Sequence, residues 1–333
     1  MQAAIYGLEG LELTDGERDF FRDADPAGFI LFKRNCGDQQ QLLGLTDSLR
    51  GLSGRIDLPI LMDQEGGRVA RMKPPEWPAF PAAGLFADLY RAAPSSAIEA
   101  VRSNARALAL MLRSAGINVD ALPLLDVRQE GASDIIGDRA LGSEPMQVAA
   151  LGRAVLDGLA SAGVVGIVKH MPGHGRALVD SHKELPVVTA SAEELEMDLE
   201  PFERLSAAPM GMTAHVVYTA WDPDHPASMS AKVIGEIVRG RIGFDGFLMS
   251  DDIGMEALDG DFGSRAAGVV AAGNDAALHC SGIMAEMVAV AAAVPALSEQ
   301  GEARLERAMA SIADEPQGMD FAQAIANRDA LLG

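Results

Sequence analysis

Four of the six histidines in this 333-residue chain stand at positions 170, 174, 182 and 215, closer together than scattered surface histidines would fall. Three of them belong to one constellation, Lys169-His-Met-Pro-Gly-His-Gly175 followed by Asp180-Ser-His182. Pro172, Gly173 and Gly175 mark a sharp loop in which backbone and side chains can approach a ligand closely, a loop suited to act as a lid. In Asp180-Ser-His182 an extended backbone puts residues i and i+2 on one side, within reach of an Asp-His hydrogen bond. Such an aspartate fixes the ring tautomer and raises its basicity, so His182 would titrate near neutrality and could first give and then take a proton. A surface turn capped by Asp180 is the plainer alternative. Downstream, Gly246-Phe-Leu-Met-Ser-Asp-Asp252 delivers two adjacent carboxylates, of which a strand would turn only one inward. One aspartate opposite an imidazole acid/base is the equipment for double displacement at a glycosidic carbon, with the imidazole replacing the second carboxylate.

Other chemistries compete for the same residues. Histidines and aspartates at strand ends also build hydrolytic zinc sites. Here no His-x-His falls on an early strand, and the histidines are interleaved with Lys169 and several arginines, cations that disfavour a divalent metal. Neither a metal nor an organic cofactor is expected. Two further readings stay open. Phosphate instead of water could resolve a glycosyl-enzyme, or the same scaffold could bind a sugar without turning it over. A degenerate chain of the second kind would have lost the carboxylate or the histidine loop, and both are present.

These residues need strands to carry them, and the sequence supplies strand signals. Short apolar runs recur at Ala3-Gly7, Gly28-Phe32, Leu58-Asp63, Val119-Asp126, Val164-His170, Gly211-His215, Gly246-Asp251 and Asp275-Cys280. Helical periodicity fills most gaps, over Gln39-Leu52, Ala97-Ala115, Pro145-Ala162, Ala192-Ala207, Ala231-Arg241 and Arg265-Ala272. Ser191-Ala-Glu-Glu194 reads as a capping box, and Gly163, Gly243 and Gly273 stand where helices should stop. Eight apolar strands separated by helices imply a parallel sheet covered on both faces, and predict an α/β fold, a single-domain (β/α)8 barrel of the TIM type over residues 1–333. The alanine-rich tail from Met284 to Gly333 is expected to close the barrel exterior. Several strands end in an ionisable group: Asp63, Asp126, Lys169-His170, His215 and Asp251-Asp252. Such groups are costly at the end of a buried strand unless paired or solvated, whereas the carboxyl ends of barrel strands are where this fold builds its active site. Taken singly, an Asp at a strand end often caps the next helix, and His215 alone would more often be a satisfied buried imidazole.

Bulk properties narrow the function further. A net charge of −21 repels polyanions, so neither nucleic acid nor a membrane surface is an expected partner. The cysteines, Cys36 and Cys280, lie far apart without metal-type spacing, and both are expected to be free thiols in a reducing compartment. The N-terminal stretch has neither a basic n-region nor a long apolar segment, so a cytoplasmic protein is expected.

Taken together, the motifs resemble the bacterial β-N-acetylhexosaminidases of glycoside hydrolase family 3, the single-domain kind that acts in peptidoglycan recycling. Besides the two histidine motifs, the likeness includes Phe29-Ile-Leu-Phe-Lys-Arg-Asn35, Asp63-Gln-Glu-Gly-Gly-Arg-Val69 with Arg71, Ile136-Gly-Asp-Arg139, Ala214-His215 and Gly243-Phe-Asp-Gly-Phe-Leu-Met-Ser-Asp-Asp252. The resemblance implies Asp251 as nucleophile, His182 as acid/base and Asp180 as its partner. It implies that Asp63, Arg71, Arg139, Lys169 and His170 hold the sugar, with His174 and His215 as secondary candidates. The implied substrate is a small carbohydrate, an N-acetylglucosaminyl-anhydromuramyl peptide, handled by a monomer. Related β-glucosidases share the Lys-His strand end but lack the Asp-Ser-His loop and take their acid/base from a further domain. Two departures stand out: Met171 occupies a position usually aromatic, and Arg176 adds a cation inside the loop, where a solvated side chain is expected.

Overall fold

The computed structural model describes residues 1–333 apart from His182, Ala313, Asp314, Glu315 and Gln317. The apolar runs form barrel strands that are buried over most of their length, because helices cover them from outside and the barrel interior from within. In chain order they are β1 (Gln2–Gly7), β2 (Pro26–Leu31), β3 (Ile60–Met62), β4 (Val119–Asp120), β5 (Val165–Met171), β6 (Val187–Val188), β7 (Met210–Thr213), β8 (Val217–Tyr218), β9 (Phe247–Asp252) and β10 (Ala276–His279). Eight close into a parallel barrel in the order β1-β10-β9-β7-β5-β4-β3-β2, and β6 pairs with β8 in a separate two-stranded sheet. The predicted (β/α)8 barrel is borne out.

The covering helices are α1 (Asp15–Ala24), α2 (Gln39–Ser53), α3 (Ala83–Ala92), α4 (Pro94–Ser114), α5 (Pro145–Ser161), α6 (Ala192–Arg204), α7 (Phe262–Ala271), α8 (Met284–Ala293), α9 (Glu299–Met309) and α10 (Phe321–Leu332). The capping box opening α6 forms as expected: the Glu194 amide donates to Ser191 Oγ, and the Glu194 carboxylate takes the Ser191 amide. Gly163, Gly243 and Gly273 adopt positive φ after their helices. Among the described residues no helix is long and apolar enough to cross a membrane.

Four expectations change. The strand expected over Val119-Asp126 is regular only through Asp120, since Pro123 has no N–H for the ladder, although the Leu125 amide still donates to Lys169 O. The helix expected over Ala231-Arg241 is a π-helix, Val233–Arg241. Helices α1 and α3 form where none was expected, α1 behind a capping box of Thr14 and Glu17. The tail does more than close the exterior. Leu297, Leu305, Ala308 and Met309 pack with the barrel-lining side chains, and Arg304 pairs with Asp245 and Asp275 beside the starts of β9 and β10. Helix α9 is therefore the floor of the barrel. With the amino end closed, the opposite mouth is left for the chemistry.

Candidate active site

At that mouth the strand ends bring Asp63, Glu65, Lys169, His170, His174, Ser181, Asp251, Asp252 and Cys280 to one cleft, joined by Arg71 and Arg139 from the loops after β3 and β4. Glu65 sits on a tight turn where its amide donates to Val69 O. The next residue must be glycine: at Gly66, φ is +93°, and a Cβ would lie 2.4 Å from Pro81 O.

One wall of the cleft is a connected charge network. Lys169 Nζ lies 3.0 Å from Asp63 Oδ1 and 2.8 Å from Glu65 Oε1. Arg71 donates to Asp63 Oδ2 at 3.1 Å, and Arg139 forks onto both Glu65 oxygens at 2.7 and 2.8 Å. Burial pushes the Asp63 and Glu65 carboxyls up, but the neighbouring cations outweigh it and hold both below the usual range. Burial also pulls Lys169 down, and its two carboxylate partners more than restore it. These groups stay charged and present donors and acceptors in fixed directions, as recognition of sugar hydroxyls requires. Beneath them Asp120 accepts the Gln64 amide at 3.0 Å, and burial pushes its carboxyl well above the usual range.

A second element of the site is Asp126, fully buried. Its Oδ2 stands 2.7 Å from His170 Nδ1, and its Oδ1 accepts the amides of His174 and His170 at 2.6 and 3.2 Å. Burial raises this carboxyl, but His170 and His174 bring it down to about 2. An ionised acceptor at Nδ1 fixes the His170 tautomer and leaves Nε2 for the cleft. His174 is pushed down to about 4, first by burial and then by His170, so it is neutral at physiological pH.

Across the cleft stands Asp251. Burial would raise its carboxyl, but His170, His215 and the Asp252 amide, which donates to Oδ1 at 2.8 Å, hold it below the usual range. A half-buried carboxylate kept ionised at a barrel mouth can act as an anionic nucleophile. Asp252 also borders the cleft, but its carboxyl turns back to cap the Gly254 amide at 2.8 Å. Burial and the adjacent Asp251 push it up to about 6.

The structure thus gathers Asp251, Asp63, Arg71, Arg139, Lys169, His170 and His174 at one cleft. His215 lies off it: Nδ1 is 2.6 Å from Ser228 Oγ and Nε2 is 3.0 Å from Asp252 O, so both ring nitrogens are used in holding β9. Asp180 precedes the cleft-lining Ser181, and its carbonyl accepts the Lys183 and Glu184 amides. His182 lies outside the described residues. Arg176 is not solvated as expected but pairs with buried Asp198. Both cysteines are free thiols, and Cys280 borders the cleft. Glu65 and Asp126 have central places that were not assigned in advance. The glycine pair after Glu65 was the available signal for the first, and the strand-end position for the second. Among the described residues no group of three or more His, Cys, Asp or Glu side chains is arranged to hold a metal ion.

Residues 5–314 match the Glycosyl hydrolase family 3 N terminal domain. The chain belongs to glycoside hydrolase family 3. It is 40% identical over 282 residues to a beta-hexosaminidase of Alkalilimnicola ehrlichii, covering 83% of this chain and 80% of that one. A beta-hexosaminidase of Aromatoleum aromaticum is 35% identical over 94% of this chain and 87% of its own. Among solved structures, NagZ from Neisseria gonorrhoeae in complex with N-trifluoroacetyl-D-glucosamine superposes with a TM-score of 0.89 at 32% identity, covering 100% of this chain and 98% of that one. The family 3 resemblance read from the motifs is borne out, and with it the expectation of a β-N-acetylhexosaminidase.

Proposed function

We propose that this family 3 enzyme is a retaining exo-β-N-acetylglucosaminidase, one catalytic unit over residues 1–333, in which Asp251 is the nucleophile and His182, oriented by Asp180, is the acid/base. The observation that carries the reading is an ionised, half-buried Asp251 facing the network of Asp63, Glu65, Arg71, Arg139 and Lys169 across one cleft. Asp251 attacks the anomeric carbon of a terminal β-linked N-acetylglucosamine while His182 protonates the departing glycosidic oxygen. The bond to the aglycone breaks as the glycosyl-aspartate ester forms. Water, deprotonated by the same His182, then releases the sugar with its configuration retained. Asp63, Arg71, Arg139, Lys169 and His170 orient the sugar, with Glu65 and Asp126 holding the cations and the imidazole in place. Neither a metal nor an organic cofactor takes part.

The substrate we assign is an N-acetylglucosaminyl-anhydromuramyl peptide, cleaved by a cytoplasmic monomer during peptidoglycan recycling. The reading is supported by family membership, by the beta-hexosaminidase relatives and by the likeness to a NagZ structure holding an N-acylated glucosamine derivative. The test is to trap the enzyme with a fluorinated N-acetylglucosaminide that forms a long-lived adduct and to map the labelled peptide. A label on Asp251 is expected; a label elsewhere, or none with turnover intact, refutes the mechanism. Product analysis with and without phosphate separates hydrolysis from phosphorolysis.

A further inference from the structure

Between the cleft and α6 the chain runs through a segment whose two ends are held and which carries exposed side chains between them, around the buried Ser181. The root is pressed into the protein. Gly173, at φ +134°, packs so closely on α6 that a Cβ would lie 3.1 Å from the Asp198 Cβ, and its carbonyl accepts the Tyr218 hydroxyl at 2.7 Å. At Gly175 a Cβ would stand 1.9 Å from Val127 O. The Ala177 carbonyl accepts the Ser133 amide at 2.9 Å. The far end is fixed where the Val217 amide donates to Pro186 O at 2.9 Å. In between, Leu178 is 71% exposed and Lys183 is exposed.

Arg176 is the side chain that fastens this root to α6. Its Nε donates to Asp198 Oδ2 at 2.6 Å and its Nη2 to Glu194 O at 2.8 Å. The arginine is 19% exposed and its partner 1%, so the pair is shielded from the solvent that weakens surface ion pairs. Helix α6 is a firm anchor, because its own first turn is closed by the Ser191–Glu194 capping box. Asp126 acts on the same root from the cleft side through the His174 amide, so one short segment is registered to the sugar site and to α6 at once.

We propose that Arg176 is a positioning residue for proton transfer: by pinning the loop root to Asp198 and Glu194 it sets the course of the chain into Asp180 and His182. The proposal rests on the reading of His182 as acid/base. Arg176 does not line the sugar cleft, and its guanidinium is engaged with α6. Its contribution is the direction in which the loop presents the acid to the glycosidic oxygen. A misdirected acid costs most where protonation is most needed, with poor leaving groups, and least with an activated aryl glycoside whose leaving group departs as the anion.

The test compares kcat/KM on activated and unactivated N-acetylglucosaminides for the wild type, Arg176→Ala, Arg176→Lys and His182→Ala. Arg176→Ala should lose less than about threefold on the activated substrate and more than about tenfold on the poor one. Arg176→Lys, which keeps the charge but gives up the fork, should fall between. Because Arg176→Ala strands a buried carboxyl, the double variant Arg176→Ala/Asp198→Asn removes the uncompensated group and should show the same split. Trypsin cleavage after Lys183, followed by mass spectrometry, should quicken in both. Equal losses on the two substrates, a lysine variant no better than alanine, or an unchanged cleavage rate each overturn the proposal. His182→Ala separates the two levels. If it spares poor and good leaving groups alike, the acid/base reading falls and takes this one with it. If it discriminates and Arg176→Ala does not, only the role of Arg176 falls.

Discussion

Glu65→Gln replaces one atom and rebalances the whole wall of the cleft. Arg71, Lys169 and Arg139 carry three positive charges against the two of Asp63 and Glu65, a net of +1 that the substitution raises to +2. Lys169, 2% exposed, loses one of its two anionic partners, and Arg139 keeps one acceptor in place of a fork. Breaking a buried pair from one side costs about 3–5 kcal/mol, and the retained amide oxygen places this case near about 3 kcal/mol. At about 1.4 kcal/mol per decade, roughly a hundredfold is expected in kcat/KM if the cost falls on the sugar-binding state. The loss should appear mainly in KM, and equally for good and poor leaving groups, since Glu65 holds the sugar's partners and moves no proton. Falling instead on stability, 3 kcal/mol against an unfolding entropy of about 0.7 kcal/mol per kelvin for this length lowers Tm by about 4 °C. Steady-state kinetics on an aryl N-acetylglucosaminide and a thermal melt divide the effect between the two. A variant with wild-type kcat/KM and wild-type Tm would refute the claim that Glu65 holds this network together.

Asp251→Ala should reduce turnover of an aryl N-acetylglucosaminide by more than about 10³-fold, in the range of nucleophile deletions elsewhere, with the melting curve preserved; substantial residual activity would exclude it as nucleophile. Asp252→Asn tests the carboxyl raised to about 6. The folded state holds this proton more tightly than the unfolded chain. Its stabilising contribution is therefore complete below about pH 4 and lost as pH rises to about 6. The variant's Tm should gain on the wild type between pH 4 and 7, and a constant difference would contradict the assignment. His215→Ala leaves the Ser228 hydroxyl and the Asp252 carbonyl without their buried partner and opens a cavity, for a loss of about 2–4 kcal/mol in chemical denaturation. It should also lower kcat, because Asp252, whose carbonyl it holds, donates its amide to Asp251; normal stability would show that the imidazole is dispensable.

The barrel was legible because a parallel sheet covered on both faces writes itself as apolar runs, and all eight were present. What escaped were features set by distance. Strand β4 is two residues long because the pairing lapses at Pro123, which no apolar pattern reports. Helix α1 was announced by Thr14-x-x-Glu17, a signal available but weaker than hydrophobic period. At the site, Asp251, Lys169 and His170 could be read because a charge at the end of a buried strand is an anomaly. Glu65 stands on a turn, where a carboxylate is ordinary, and becomes exceptional only when the fold places Arg139 and Lys169 against it. Arg176 was misjudged for the same reason, since its partner Asp198 lies on a helix 22 residues onward.

The floor and the seam of the barrel are both supplied late. Strand β1 pairs with β10, the Ala3 amide donates to Pro295 O, and the Leu297 amide donates to Met1 O, while α9 plugs the interior beneath them. On the ribosome the first strand therefore emerges with one edge unsatisfied and waits for chain nearly three hundred residues behind it. At about 5–20 residues per second that wait is roughly 15 to 60 s. During this time the nascent half-barrel displays an open strand edge and an unplugged apolar lumen, the two surfaces on which unfinished chains aggregate. Synthesis cannot complete this fold from front to back: closure comes as one late event, and the burden of keeping the early strands apart from their neighbours falls on whatever shelters the chain until its last helices arrive.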